Sequence, residues 1–215
     1  MGSRYWPLFD LEVRTPRVTL RYPDDELLEQ LAAVASQGVH PPERMPFLHP
    51  WTRASSPQLE RDALRHWWGL RASWTPEHWR LACAVLVADQ PVGVQFVQGV
   101  RFAVTRTVVT GSWLGLRHQG QGIGTEARAA ALHLAFAGLG AEAAESGAFE
   151  DNPASLALSR KLGYVSNGVR THDREGTPAR VLELRLDRET WEHHRRDDIS
   201  IVGLDACRDW FGVPV

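Results

Sequence analysis

The run GSWLGLRHQGQGIGTEARAAALHLAF, Gly111 to Phe136, sets the tightest constraint on how this chain folds. A strand-like apolar segment passes into glycines at alternate positions, Gly120, Gly122 and Gly124, and then at once into an alanine-rich helical pattern. Glycine loses more backbone entropy on ordering than other residues, so such a cluster marks a tight turn or a place where something approaches the main chain closely. A P-loop is excluded, because Thr125 and Glu126 follow Gly124 where lysine and a hydroxyl residue are required. The dinucleotide fingerprint fits in part, with Gly122 after Gly120 and Glu142 about twenty residues on, but Thr125 stands in place of its third glycine. Two alternatives remain: a plain structural turn, or a nest in which successive amides from Gln119 to Gly124 cradle a phosphate group at a helix N-terminus.

The surrounding pattern alternates strands and helices. RVTLRY, Arg17 to Tyr22, alternates as a strand, and Asp24 caps a following helix that Gly38 ends. Val39 to Pro57 is rich in proline and aromatics, too apolar for a plain linker, and is expected to line something. A helix over residues 58–74 precedes a hairpin over 80–99 that divides at Asp89 and Gln90. A third strand, about 105–116, runs into the glycine loop and a helix to Gly138, whose Ala127, Ala130, Ala131 and Leu134 form one small face suited to packing on a sheet. The alanines and glutamates of Ala141 to Glu150 would equally suit a helix, and its place in the chain favours a strand. NPASLALSRKLGY starts with Asn152 as N-cap and Pro153 at the first helical position, and stops at Gly163. Strands at about 164–171 and 179–186 and a helix over DRETWEHHRR complete the pattern.

Composition narrows the class. At 215 residues, 43% hydrophobic and 23% charged, the chain is expected to form one globular domain over residues 1–196 with a C-terminal tail over 197–215. A net charge of −2 gives no general attraction to nucleic acid, and no run reaches the length of a membrane span. Cys83 and Cys207 lack metal-like spacing, and His193 and His194 are adjacent and so diverge on a helix, so no metal is expected. A soluble, cytoplasmic protein follows as the expectation, with a homodimer as a candidate assembly.

QGQGIG, Gln119 to Gly124, matches the Q/R-x-x-G-x-G/A signature of the GCN5-related N-acetyltransferases, the GNAT family. The order GSWLGLRHQGQGIGTEA then NPASLALSRKLGY, with RTPRVTLR and PFLHPW before them, resembles the branch of the ribosomal-protein alanine N-acetyltransferases over about residues 14–186. The resemblance implies an α+β fold, a mixed central sheet of six to seven strands flanked by helices and splayed at an acyl-CoA cleft. It further implies acetyl-CoA or another acyl-CoA as co-substrate. The pyrophosphate would sit on the loop Gln119, Gly120, Gln121, Gly122, Ile123, Gly124 and Thr125, and the pantetheine along Trp113, Leu114, Gly115 and Leu116, with Asn152 and Ser155 contacting it. The acceptor would be a small-molecule amine or a peptide or protein N-terminus.

Direct attack by an amine needs a neutral nucleophile, a polarised thioester carbonyl and a proton for the departing thiolate. Many relatives carry a tyrosine acid seven residues after the helix-start asparagine, where this chain has Ser159. Ser155 matches the serine of the branch's N-x-x-S pattern and is the candidate acid, a helix-bonded serine being the alternative. The branch's glutamate base falls in HDREG at Arg174, so His172 and Glu150 are the base candidates, with Asp151, Asp173 and Glu175 nearby. Tyr164 is expected to pack. Nine tryptophans are many for this length, and Phe47, Trp51 and Trp67 are candidate walls of an acceptor pocket, a core role being the alternative. A catalytically silent acyl-CoA sensor is the competing functional class.

Overall fold

The computed structural model describes residues 3–213. Its centre is one sheet of nine strands: β1 (Glu12–Arg14), β2 (Thr19–Arg21), β3 (His78–Val87), β4 (Gln90–Val100), β5 (Thr107–Leu114), β6 (Ala143–Phe149), β7 (Val165–Arg174), β8 (Thr177–Asp187) and β9 (Ser200–Val202). Their order across the sheet is β7-β8-β6-β5-β4-β3-β2-β1-β9. Neighbours are antiparallel except β5 and β6, which run parallel. The helices are α1 (Asp25–Ser36), α2 (Gln58–Ala72), the single turn α3 (Phe102–Thr105), α4 (Ile123–His133), α5 (Pro153–Lys161) and α6 (Arg188–His194).

Side-chain alternation along β3 divides the core in two. Leu81, Cys83 and Val85 join Ala127, Ala130 and Ala131 of α4, while Ala82, Ala84 and Leu86 meet Leu27, Leu28 and Leu31 of α1 and Trp67 of α2. The small face expected on α4 is buried there, and its alanines let the helix lie close on the sheet. Past His133 the helix widens to a π turn over Leu134–Gly138. Helix ends obey their local chemistry: Asp24 Oδ1 accepts from Leu27 N at 2.9 Å, and Gly38 and Gly163 take φ of +103° and +90°.

Three expectations are corrected. The sheet has nine strands rather than six or seven, because the short β1 and β9 extend its edge beyond β2. The β3–β4 turn falls on Ala88 and Asp89, both left-handed, one residue earlier than expected. The stretch from 197, expected to trail as a tail, is packed into the sheet: β9 pairs with β1, and Leu204, Cys207, Phe211 and Val213 are buried in the α4-side core. These residues anchor singly, with no extended helical or strand period to announce them.

Phe211 seals this end of the core. Its ring lies 4.9 Å from Trp79, and its carbonyl accepts from Trp79 Nε1 at 3.3 Å. We predict that Phe211→Ala lowers unfolding free energy by about 3–5 kcal/mol in denaturant titrations, the range for truncating a buried phenylalanine. A loss below about 1 kcal/mol would show that this end is loosely attached.

Candidate active site

The site begins where β5 and β6 part. Their register covers only Thr107↔Ala143, Val108↔Ala144 and Val109↔Glu145. Beyond that point β5 continues against β4 and β6 against β8, so the sheet opens down its middle. Side chains close the apex of the split: Ser146 Oγ donates to Thr110 O at 3.1 Å, and Thr110 Oγ1 lies 2.8 Å from the Tyr164 hydroxyl. Tyr164 is buried there, with its hydroxyl among these polar groups. Part of the expected backbone edge is already used, since Gln119 Nε2 donates to Leu114 O, Gly115 N to Val92 O and Leu116 N to Gly38 O.

The glycine loop stands at the mouth of the split. Gly120 and Gly122 adopt φ of +73° and +80°, and α4 then starts at Ile123 with no side-chain cap. The first-turn amides of a helix have no partner within it, so this end presents N–H groups and the positive end of the helix dipole. A Cβ added at Gly120 would meet nothing within 4 Å, so its role is conformational; one at Gly124 would meet Leu158 Cδ1 at 3.3 Å, so that glycine serves the approach of α5 to α4. Gln119 holds the loop from behind, its side-chain amide donating at 2.8 Å to both Val39 O and Leu114 O.

Sequence reasoning missed two residues that brace this loop. Glu126 is buried, yet Thr15 Oγ1 donates to it at 2.7 Å and Arg17 meets it at 2.6 Å. Burial alone would raise its carboxyl, but these hydrogen bonds outweigh that and hold it below the ordinary range. Arg17 also reaches Gln121 O at 3.3 Å and thereby brings a cation against the loop. The available signal was the acid in the first turn after the glycines.

On the far lip, Asn152 Oδ1 accepts from Ser155 N at 3.2 Å and caps α5, leaving its NH2 without a hydrogen bond among the described residues. Ser155 is half-buried and its hydroxyl makes no bond back to α5. Facing α1 and α2, an aromatic chain runs from His40 to Phe47 (5.7 Å), Trp51 (5.3 Å) and Trp113 (5.6 Å). Phe47 and Trp51 thus stand beside the split, whereas Trp67 lies apart from them in the core between α2 and the sheet.

The tip of the β7–β8 hairpin clasps the Val39–Pro57 loop. Arg53 donates to both oxygens of Glu175 at 2.7 and 2.8 Å, and His172 Nε2 lies 2.9 Å from Leu48 O. A carbonyl only accepts, so in the neutral ring Nε2 carries the hydrogen and Nδ1 keeps a lone pair. The neighbouring carboxylates are engaged elsewhere. Glu150 pairs with Arg180 at 2.9 Å and is exposed; Asp151 pairs with Arg174 at 2.7 Å, which lies over Phe149. Hydrogen bonds from Arg174 and Arg53 hold Asp151 and Glu175, respectively, below the usual carboxylate range, which makes both poor proton acceptors.

With this geometry in view, the comparisons are decisive for the family: residues 17–165, well over half the chain, match the acetyltransferase (GNAT) domain model. The chain belongs to the GNAT family of acetyltransferases. Similar solved structures include RimJ of Mycobacterium smegmatis in complex with CoA-disulfide, at 18% identity and TM-score 0.65, covering 85% of this chain and 90% of that one. RimL, a ribosomal L7/L12 alpha-N-protein acetyltransferase in complex with coenzyme A, aligns at 17% identity and TM-score 0.64 over 82% and 97% of the two chains. The microcin C7 self-immunity acetyltransferase MccE, with acetyl-CoA and AMP, aligns at 17% and 0.62 over 80% and 93%. At these identities the neighbours speak for the fold. No helix among the described residues is long and apolar enough to cross a membrane, and no group of three or more metal-ligating side chains occurs among them.

The Asp151–Arg174 pair yields a pH prediction. A depressed folded pKa contributes stability that is complete above the unfolded value, about 3.9, and is lost as pH falls through the folded one. The melting-temperature gap between wild type and Asp151→Asn should be constant above about pH 5 and shrink toward zero below about pH 4. A gap independent of pH would remove the pair from the account.

Proposed function

We propose that the protein is an acyl-CoA-dependent N-acyltransferase that moves the acyl group of acetyl-CoA, or of a related acyl-CoA, directly to a primary amine of a small molecule or of a peptide or protein N-terminus. The observation that carries this reading is the uncapped start of α4 behind two left-handed glycines, at the mouth of a sheet split after Val109. A purely structural turn would leave those amides bare for no purpose and would not require the central strands to separate. The family's CoA-bound members, RimL among them, support the same choice. A silent sensor is disfavoured because the elements on the β6 side of the split supply a hydroxyl, Ser155 on α5, and an imidazole with a free lone pair, His172 on β7.

Amides of Gln119 to Thr125 would take the pyrophosphate, with Arg17 adding charge; the β5 edge near Trp113 to Leu116 and the Asn152 NH2 would take the pantetheine. When bound, acyl-CoA supplies an activated acyl carbon with a thiolate as leaving group. The chain's own residues then have separate tasks. His172 Nδ1 receives a proton from the attacking amine, and Leu48 O fixes the ring. Glu150, the other base candidate, is held outward by Arg180 and makes the weaker assignment. Ser155 Oγ offers its hydrogen to the departing sulfur. Phe47 and Trp51 wall the acceptor side under the Arg53–Glu175 clasp and limit water there.

Calorimetry with CoA tests the loop. Gly122→Asn tolerates positive φ and keeps the loop neutral, whereas Gly122→Asp adds a negative charge at the same backbone geometry. The Asp variant should bind at least about tenfold more weakly than the Asn variant, about 1.4 kcal/mol. Equal affinities would remove the pyrophosphate assignment.

A second experiment addresses Ser155. Ser155→Ala should lower kcat about a hundredfold with little change in KM for acyl-CoA, because the lost bond belongs to the transition state. An aryl thioester donor, whose thiol departs easily, should rescue much of that rate. Equal defects with both donors would mark Ser155 as a positioning residue.

A further inference from the structure

One residue of α4 breaks its small face. Arg128 lies among Ala127, Ala129, Ala130 and Ala131, is 3% exposed, and is the one buried arginine among the described residues. Its guanidinium points into the sheet at the split. Nε donates to Gln95 Oε1 at 3.3 Å on β4, Nη2 to Ser112 Oγ at 3.2 Å on β5, and Nη1 to Ser146 Oγ at 3.3 Å on β6. These three partners are neutral and their bonds are long for a charged donor, and the buried Tyr164 hydroxyl beside the guanidinium is a neutral group as well. No ion pair to Arg128 occurs among the described residues, although Glu126 two positions earlier is tied up by Arg17.

Such an arrangement is hard to explain as scaffolding. A buried cation without an anion is strongly unfavourable, and a leucine or methionine on this helix would fill the same space. Burial pushes the guanidinium's pKa down, but arginine remains charged. The charge also lies close to the opening. Ser112 and Ser146 stand on the two strands that part, both are half-buried, and Gly147 beside Ser146 is exposed in the middle of the sheet. Displacing either serine would free a guanidinium fork whose geometry matches a carboxylate.

We propose that Arg128 makes the split a binding site for acyl groups that end in a carboxylate, so that the preferred donor is the CoA thioester of a short dicarboxylic acid of the succinyl class. This rests on the reading that acyl-CoA enters between β5 and β6, and it narrows the donor. The transfer balances as for a neutral acyl group. The amine nitrogen forms a bond to the thioester carbon, the carbon–sulfur bond breaks, the amine's proton leaves to the base, and the thiolate is protonated to CoA. The acceptor is left with an amide bearing a free carboxylate, and its charge changes by two units, from ammonium to carboxylate. The Arg128 guanidinium takes no part in bond making; it selects the chain.

Binding of hydrolysis-stable thioethers tests this on the full chain, with free CoA as the internal reference. The 3-carboxypropyl thioether of CoA should bind wild type at least about tenfold more tightly than the butyl thioether, which has the same carbon chain without the carboxylate oxygens. In Arg128→Met, shown folded by thermal melting, the preference should vanish, and in Arg128→Lys, which keeps the charge but loses the fork, it should fall between. Equal affinity of the two thioethers for wild type, or a preference that survives in Arg128→Met, would overturn the proposal, and the first of these needs no variant to fold. Failure of CoA itself to bind would overturn the acyl-CoA reading beneath it; CoA binding without preference would overturn this inference alone.

Discussion

Everything in this molecule answers to the parting of β5 from β6. A sheet gains its stability by pairing every internal edge, and an opening at its centre leaves backbone N–H and C=O groups that need water or a ligand. The structure holds the opening in shape by fixing both sides. β5 is locked into a long antiparallel pair with β4, β6 into another with β8, and Thr110, Ser146 and Tyr164 stitch the apex. The extended edge from β3 to β9 and the aromatic cluster around Trp79 and Phe211 keep the half bearing β5 rigid. A rigid opening is what a site dependent on positioning requires.

Around that opening, charge is distributed with some economy. The arginines are mostly paired: Arg17 with Glu126, Arg53 with Glu175, Arg174 with Asp151, Arg180 with Glu150. Those pairs brace the loop and close the hairpin over the aromatic side, and they engage carboxylates that sequence position alone would nominate as bases. Arg128, buried and facing neutral groups only, stands apart from this pattern. His172 emerges as base candidate largely because its carboxylate neighbours are occupied.

Much of the site was legible in the chain itself, since local chemistry dictates it. Gly120 and Gly122 must be glycine or nearly so at positive φ; Asn152 and Pro153 announce a helix start; the alanines of α4 announce close packing. What the chain did not reveal depends on partners far away in sequence. Glu126 reads as an ordinary first-turn acid until Thr15 and Arg17 are brought to it from more than a hundred positions away. Phe47, Trp51 and Trp67 are alike in type, and only the turn of α2 sends Trp67 into the core. β1 and β9 are three residues each, too short for any period, and exist because each completes the other's edge.

Amide hydrogen exchange of the full chain with and without CoA tests the central claim most directly, because it reads the backbone groups on which the account rests. Added CoA should slow exchange in the segments covering Gln119 to Thr125 and Thr110 to Gly115, while α1, β3 and the C-terminal residues around Phe211 remain unchanged. Protection confined to other elements, or none at CoA concentrations that saturate binding, would show that the split sheet and its glycine loop are not the site.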